Sequence, residues 1–415
     1  MKNSAESVYS GYSIQNVANK IATQQLINVF LFFTFFPYLC IVPLPLDTQP
    51  YSLVLAFIIF STYRGKKLPR EIAILLWPFL ASLMLAFAGG INLTALRSIG
   101  NYASLFFISA SSYYVLKMRE GLPERFIKTI LYIWFLVGFI QVSVYPNFLT
   151  FLLRSARTGY GRGVCGLAAE PTFYGFVCVF MLLLVLFHWG KSKNGIILAT
   201  LLIAQILFFA QSSMAALFLI VLAFYYTISH LTKRNIIIVA AIAIPIVFIL
   251  SSGELPEFIK GRRIIRVLLL LIKNPMLILF ADTSGNDRFF HIVFSFLGFF
   301  ENYSMPHGPG QFVAYLLENL PRFSKEVKWL SIGDRIMSGY GAALFELGFI
   351  GLAIPLSITL SIHKFYKNNR RNFFLYAMFL NTILLAAIPM AMPLIGFLIG
   401  YLCYYGNLRE KADHS

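Results

Sequence analysis

The sequence predicts an all-α, polytopic integral membrane protein with about 12 transmembrane helices. Hydrophobic residues fill 58% of its 415 positions and charged residues fill 12%, whereas soluble domains contain about 45–50% and about 25% of these classes. The apolar residues form continuous blocks of about 16–20 residues, which suits a membrane-crossing helix and not the alternating pattern of a barrel strand. Composition and block length therefore both indicate helices in a lipid bilayer.

Twelve apolar blocks, each bounded by charge, proline or glycine, are the predicted spans. They lie at residues 24–43, 46–63, 72–90, 99–116, 126–145, 172–189, 195–211, 213–230, 236–252, 338–363, 373–391 and 393–407. Two neighbouring pairs have almost no connecting sequence, at residues 211–213 and 392–393. Each of these pairs could instead be one kinked helix.

The distribution of Lys and Arg predicts the direction of the helices, because cytoplasmic loops of membrane proteins are rich in these cations. With a cytoplasmic amino terminus, 20 of the 34 cations fall inside: Lys2, Lys20, Arg64, Lys66, Lys67, Arg70, Lys117, Arg119, Arg125, Lys128, Lys191, Lys193, Lys233, Arg234, Lys364, Lys367, Arg370, Arg371, Arg409 and Lys411. The net charge of +17 is thus attributed to orienting loops and not to nucleic-acid binding. We expect both termini in the cytoplasm and no cleaved signal peptide.

Two outer segments are much longer than the other connections, the third outer loop at 146–171 and the fifth at 253–337. Within the fifth, residues 262–273 and 289–300 mix charges with apolar side chains and are predicted to be helices lying in the membrane interface. The alternative is a further membrane-crossing pair inside 260–300. No separable soluble domain is evident, so residues 1–415 are predicted to form one transmembrane domain.

Several kinds of chemistry have no motif in this sequence. It lacks the glycine-rich phosphate cradle GxxxxGK[ST], a DxD pair, the zinc motif HExxH and the serine elbow GxSxG. Three of the four cysteines lie in or beside apolar spans, which does not suggest a disulfide framework or a cysteine metal site. We therefore expect chemistry without a metal or other cofactor.

Arginine, histidine and glutamate are concentrated in the two outer segments and just after them. The candidate site residues are Arg154, Arg157, Arg162, Glu170, Arg288, His291, His307, Arg322, Arg335 and Glu346. Guanidinium groups bind diphosphates and carboxylates, and a Glu or His is the usual proton acceptor. Such a set could bind an anionic lipid carrier and transfer a group from it.

The segment 157–175, RTGYGRGVCGLAAEPTFYG, resembles the signature loop of bacterial surface-polysaccharide polymerases of the Wzy type. Further features in the same order are the QSS turn at 211–213, Arg288 after a Gly-Asn-Asp loop, the MPHGPG turn at 305–310 and the pattern Ser338-x9-Gly348-x2-Gly351. Arg322-x10-Gly333 matches the arginine-to-glycine spacing of periplasmic loops in that family. The third outer loop lacks this spacing, because Cys165, Ala168 and Phe173 stand eleven residues after its arginines.

The resemblance implies a bundle similar to the C-type glycosyltransferases, with a large periplasmic loop that carries interfacial helices. It also implies an enzyme of the bacterial inner membrane that joins repeat units of O-antigen or a similar surface polysaccharide by inverting, metal-independent transfer. The growing chain on undecaprenyl diphosphate would be the donor, and a second lipid-linked repeat unit would be the acceptor. Membrane lipids, a chain-length regulator and the flippase of the same pathway are the expected partners.

The same resemblance suggests roles for the candidate residues. Arg157, Arg162 and Arg288 would hold the diphosphate, with Arg322, Arg335 and Glu346 as further substrate-binding groups. Glu170 is the first candidate for orienting or deprotonating the acceptor, and His307 and His291 are the second choices.

Each role has a structural alternative. Glu170 followed by Pro171 suits the first turn of a helix, and His307 could shape a turn. His291 could be a core or interface residue, and Glu346 could pair with Arg335.

Two other functions remain open at this point. An O-antigen ligase resembles this architecture and has the motif His-[NSQ]-x9-Gly-x-x-[GTV], in which Met337 replaces the histidine here; a thioether cannot accept a proton, so the ligase is disfavoured. A lipid-linked oligosaccharide flippase would be expected to place arginines within its spans and to have short loops. The predicted early spans are nearly free of charge, which favours the polymerase.

The charge map gives a topology that reporter fusions can test. We expect residues 64–70, 117–125 and 364–372 to report a cytoplasmic position, and residues 150–170 and 300–330 to report the outer face. An outer signal at 364–372 would contradict the map.

Overall fold

The computed structural model describes residues 23–42, 44, 46, 48–63, 67–157, 163–230, 232, 237, 241, 283–327, 329–333, 335–386 and 388–414. Over these ranges the chain is helical, and the β pairing recorded there is an isolated antiparallel bridge between Leu39 and Leu153. The predicted all-α class is confirmed for this part of the chain.

The described helices in the first half follow the predicted blocks. They are α1 (Thr23–Phe35), α2 (Tyr51–Thr62), the short α3 (Arg70–Ala73), α4 (Leu76–Gly89), α5 (Leu93–Met118), α6 (Glu124–Ser143), α7 (Pro171–His188), α8 (Lys193–Ala204) with a π-helical extension (Gln205–Ala210), and α9 (Ser213–Ser229). Gln211 has a positive φ of 45°, which a continuing helix cannot accommodate. Residues 195–229 are therefore two helices and not one kinked helix.

The second half contains six described helices. They are α10 (Thr283–Glu301), α11 (Phe312–Asn319), α12 (Gly339–Leu347), α13 (Ala353–Phe365), α14 (Arg370–Ala386) and α15 (Pro393–His414), with a 3-10 turn (Gly348–Leu352) joining α12 to α13. The predicted block at 236–252 and the predicted interfacial helix at 262–273 lie almost wholly outside the described residues. The predicted helix at 289–300 falls within α10.

Five described helical segments are long and apolar enough to cross a membrane: Arg70–Gly89, Glu124–Ser143, Pro171–His188, Lys193–Ala210 and Gly339–Phe365. Large apolar side chains are exposed along them, among them Trp77 at 66% and Phe87 at 70% of their full accessibility. Many such side chains facing outward would be unfavourable in water and are favourable in lipid. This pattern indicates a membrane-embedded protein.

Helix α5 is the centre of the bundle. Its side chains from Tyr102 to Leu116 are all buried, and it packs against α2, α4 and, most extensively, α15. A Cβ atom added at Gly396 or Gly400 of α15 would lie 3.0 Å from Ile108 or 2.6 Å from the Ser109 carbonyl oxygen. These two glycines allow the backbones of α5 and α15 to approach closely, as small residues do between membrane helices.

The described part of residues 253–337 has its own apolar cluster, which joins this segment to the bundle. Phe290 and Phe294 of α10 pack with Phe312 of α11, with Ile336 and with Phe345 of α12. Phe345 belongs to the long apolar segment Gly339–Phe365, so α10 and α11 rest on one end of the bundle. The assignment of residues 146–171 and 253–337 to the periplasm remains a prediction.

The close contact between α5 and α15 makes a prediction about stability. Gly400→Ala should lower the unfolding free energy by about 1–3 kcal/mol, because the new methyl group must push against the Ser109 carbonyl. The apparent melting temperature of the purified protein in detergent measures the effect.

The matched control is Gly89→Ala, because nothing lies within 4 Å of a Cβ atom at Gly89 and its helix α4 ends there. Equal melting temperatures for the two variants would show that the α5–α15 approach is not a tight constraint.

Candidate functional site

A cavity of about 670 Å³ lies at the end of the bundle where α5 begins. Its lining brings together four arginines and one carboxylate: Arg97, Arg154, Arg157, Arg335 and Glu346. Arg154, Arg157 and Arg335 belong to the two long segments predicted to face outward, and Arg97 lies between the predicted spans 72–90 and 99–116. A concentration of guanidinium groups in one recess suits an anion with several oxygen atoms, such as a diphosphate.

Glu346 lies on α12 and is 8% exposed. Its Oε1 accepts a hydrogen bond from the Ser98 hydroxyl at 2.8 Å and its Oε2 accepts one from the Tyr102 hydroxyl at 2.7 Å, both donated by α5. An ionised carboxylate has about four acceptor positions, so these bonds orient the group and leave others for a ligand. The carboxylate is thus fixed at the cavity wall with capacity to accept a proton.

The MPHGPG turn at 305–310 supports the helix that carries Glu346. The backbone N–H groups of His307 and Gly308 donate to the carbonyl oxygens of Phe345 and Glu346, at 3.0 and 3.1 Å. Gly348 has a positive φ of 60°, and a Cβ atom there would lie 2.5 Å from the Ser304 carbonyl oxygen. Glycine at this position therefore lets the turn pack directly against the end of α12.

His307 itself is not among the residues that line the cavity. Its Nε2 donates to the Gly298 carbonyl oxygen at 2.9 Å, and its ring stacks on Phe345 with the centroids 4.3 Å apart. Both contacts attach α10 to α12. The position favours a supporting role over the predicted alternative of a base.

Arg335 reaches the cavity from the segment that precedes α12. Its guanidinium lies 5.6 Å from the centroid of the Phe173 ring, on the first turn of α7. A cation over an aromatic face is stabilised by the ring quadrupole. Arg335 therefore links the cavity to the helix whose first residue follows Glu170.

Glu170 stands immediately before α7, as the helix-start alternative predicted. It is partly buried, its side chain does not cap the helix, and it is not among the residues that line the cavity. The backbone around it is firmly held, because the Arg157 N–H donates to the Ala169 carbonyl oxygen and Gln141 makes two hydrogen bonds to Gly166. Glu170 is therefore outside the cavity lining, to which Glu346 belongs.

His291 is fully buried on α10, and both ring nitrogens are engaged. Its Nδ1 accepts from the Met337 N–H at 3.3 Å, so the neutral ring carries its proton on Nε2, which lies 3.2 Å from the Ser331 carbonyl oxygen. This nitrogen is also 3.5 Å from Asp287. A ring held in this way positions the backbone before α12 and is poorly placed to accept a proton from a substrate.

Asp287 completes this polar cluster. Burial alone would raise the pKa of its carboxyl, but hydrogen bonds from His291 and from the backbone and hydroxyl of Ser331 outweigh burial and lower the pKa. The charged carboxylate accepts two hydrogen bonds from Ser331 and one contact from His291. The cluster therefore fixes the segment that leads to Arg335.

Two further predicted arginines, Arg322 and Arg288, are not brought into the cavity. Arg322 is exposed and forms an ion pair with Glu301 at 2.7 Å. Arg288 is half-buried on α10 and is absent from the cavity lining. Arg162 lies outside the described residues.

Sequence reasoning missed Arg97 as a site residue and did not consider Ser98 or Tyr102. The signal was available, because Arg97, Ser98, Asn101 and Tyr102 have the i, i+1, i+4, i+5 spacing that places polar groups on one side of a helix start. All four line the cavity.

No protein-family model matches this chain, and no curated protein sequence matches it. Within the described residues, no group of three or more His, Cys, Asp or Glu side chains is arranged to hold a metal ion. Any functional conclusion therefore depends on the cavity and its residues.

The structural role of His291 can be tested by replacing it with a ring of similar size that has no nitrogen. His291→Phe should lower the apparent melting temperature, because it leaves the Met337 N–H without its acceptor, at a cost of about 1–3 kcal/mol, and removes the contact of His291 with Asp287. His363→Phe is the matched control, since His363 is exposed and contacts Phe373 through its ring. Unchanged stability of His291→Phe with complete loss of activity would instead indicate a chemical role.

Proposed function

We propose that this protein polymerises oligosaccharide repeat units linked to undecaprenyl diphosphate, at the outer face of the bacterial inner membrane, to form O-antigen or a related surface polysaccharide. The observation that carries the proposal is the cavity in which four arginines surround a recess with one oriented carboxylate in its wall. Lipid-linked glycosyl transfer requires cations for a leaving diphosphate and a base for an attacking hydroxyl. The cavity supplies both kinds of group.

The proposed arrangement in the membrane has twelve spans with both termini in the cytoplasm. The two ends of α5 support this orientation, because the arginine cavity lies at its start and a second cavity, lined by Lys117, Lys367 and Lys411, lies at its other end. From Arg97 to Lys117 the helix rises about 30 Å, which equals the thickness of a bilayer core. The lysine-lined end corresponds to the segments that the positive-inside rule assigns to the cytoplasm.

In the proposed reaction, the acceptor's non-reducing-end hydroxyl attacks the anomeric carbon of the donor chain. The new glycosidic C–O bond forms as the bond from that carbon to the lipid diphosphate breaks, so the configuration inverts. The carboxylate of Glu346 takes the hydroxyl proton, and Arg97, Arg157 and Arg335 bind the negative charge that develops on the leaving diphosphate. Undecaprenyl diphosphate is released, and the chain grows by one repeat unit on the acceptor's lipid.

The choice of Glu346 as base replaces Glu170 as first candidate. Glu346 lines the arginine cavity and has hydroxyl groups that orient it, whereas Glu170 lies outside the lining at the start of α7. Glu170 would act through the position of α7, on which Arg335 packs at Phe173.

The ligase alternative needs a histidine where Met337 stands. The structure has a histidine beside that position, since His291 accepts from the Met337 N–H, but both of its nitrogens are occupied. This favours the polymerase. The expected chain-length regulator and flippase remain proposals that follow from the pathway.

The assignment of the base predicts a contrast between two glutamates. Glu346→Gln should be present in the membrane at near-normal level and yield mostly single-repeat product, because removal of a general base slows a reaction by about 100- to 10,000-fold. Glu170→Gln should retain most of its polymer, since a charge at a helix start contributes about 0.3–1 kcal/mol. Banding of the lipopolysaccharide or capsule in a complemented deletion strain measures both. Long polymer from Glu346→Gln combined with its loss in Glu170→Gln would reverse the assignment.

The diphosphate site predicts a second contrast, among arginines. Arg97→Lys, Arg157→Lys and Arg335→Lys should each reduce polymerisation by about 10- to 100-fold, because lysine keeps the charge and loses the planar pair of donors. Arg322→Lys is the control, since Arg322 pairs with Glu301 at the surface, away from the cavity. Equal activity of all four variants at equal protein level would remove the arginine site from the model.

A further inference from the structure

Two polar atoms in the wall of the arginine cavity are buried without a hydrogen-bond partner. They are the side-chain oxygen Oε1 of Gln49 and the guanidinium nitrogen Nε of Arg97. Over the part of the chain that the structure describes, four buried side-chain atoms lack a partner, and the other two, Ser112 Oγ and Arg119 Nε, are not in this cavity. Buried polar atoms in folded proteins normally have partners. The wall of this cavity therefore offers a ligand one hydrogen-bond acceptor, Gln49 Oε1, and one hydrogen-bond donor, Arg97 Nε–H.

The orientation of the Gln49 amide is settled by its other contacts. Gln49 is 2% exposed, and its Nε2 donates to the Leu46 carbonyl oxygen at 2.6 Å. Exchanging the amide nitrogen and oxygen would set two oxygens against each other, so Oε1 must be the unpartnered atom. The backbone N–H of Gln49 also donates to the Pro37 carbonyl oxygen at 2.8 Å, which fixes this residue in the cavity wall.

Arg97 lies on the first turns of α5, next to Ser98, which binds Glu346. Its buried Nε–H requires an acceptor, and a phosphate oxygen is a strong one. A diphosphate oxygen, however, cannot satisfy Gln49, because it has no hydrogen to donate at neutral pH. The Oε1 atom of Gln49 accepts hydrogen bonds only, so it requires a hydroxyl or an amide N–H on the same ligand.

We propose that Gln49 and Arg97 form a subsite for the sugar attached directly to the lipid diphosphate, in which Arg97 binds a phosphate oxygen and Gln49 accepts a hydrogen bond from a sugar hydroxyl or amide. This inference rests on the proposed function and adds a specificity-determining contact to it. The subsite recognises the junction between sugar and diphosphate, where a hydrogen-bond donor and the diphosphate anion are adjacent. A lipid diphosphate without sugar leaves Gln49 unpartnered.

The test compares two probes bound to the full-length protein in nanodiscs: undecaprenyl diphosphate, and undecaprenyl diphosphate that carries a single glucose. The wild-type protein should bind the glucosylated probe about tenfold more tightly, which is the effect of satisfying one buried acceptor. Gln49→Met should bind both probes equally. Arg97→Lys should weaken both probes by about tenfold or more, because it removes a donor to phosphate.

The matched control is Gln205→Met. Gln205 is an equally buried amide whose Oε1 accepts from Tyr174 and whose Nε2 donates to Leu201, and it does not line the cavity. Its replacement should lower the melting temperature and keep the tenfold preference. If Gln49→Met does not fold, wild-type protein and a series of deoxyglucose probes give the same answer, because deletion of one particular hydroxyl should abolish the preference.

The outcomes separate the two proposals. A wild-type protein that binds both probes with equal affinity, or a Gln49→Met variant that keeps the preference, overturns the sugar subsite and leaves the proposed function in place; water would then satisfy the two atoms. If the wild-type protein binds neither probe, that result overturns both the sugar subsite and the proposed function.

Discussion

The close approach of α5 and α15 is the constraint on which the remaining structure depends. Gly396 and Gly400 allow the two backbones to come together, and the side chains of α5 from Tyr102 to Leu116 are consequently buried on all sides. In lipid, helices gain little from apolar burial against each other, so close packing has a large share in fixing their positions. Because α5 is fixed, the residues on its first turns have defined positions at one end of the bundle.

The cavity uses that fixed helix end. Ser98 and Tyr102 hold Glu346 across about 245 residues of sequence, and the turn at 305–310 holds the carbonyl groups at the end of α12 from the other side. A buried carboxylate is costly unless it is hydrogen-bonded. The hydroxyl groups of α5 therefore both stabilise the contact between α5 and α12 and orient the group to which we assign the chemistry.

Residues 283–333, which belong to the segment predicted to face outward, pack against the elements that form the cavity. Its apolar cluster packs on Phe345, one residue before Glu346, and its polar cluster of Asp287, His291 and Ser331 holds the segment that contains Arg335. Histidines that looked chemical in the sequence thus have positioning roles. Each uses a ring nitrogen to bind a backbone group: His291 accepts from the Met337 N–H, and His307 donates to the Gly298 carbonyl oxygen.

The sequence by itself determined the helices, because hydropathy and the breaks between apolar blocks are local properties: eleven of the twelve predicted blocks contain a described helix. It also identified Arg157, Arg335 and Glu346 among the candidates. Only the tertiary structure decided that Arg97 joins them, that Arg322 pairs with Glu301 at the surface, and that Glu170 stays outside the lining. Such membership depends on contacts between residues distant in sequence, and no local pattern of charge or hydropathy encodes which helix ends will meet.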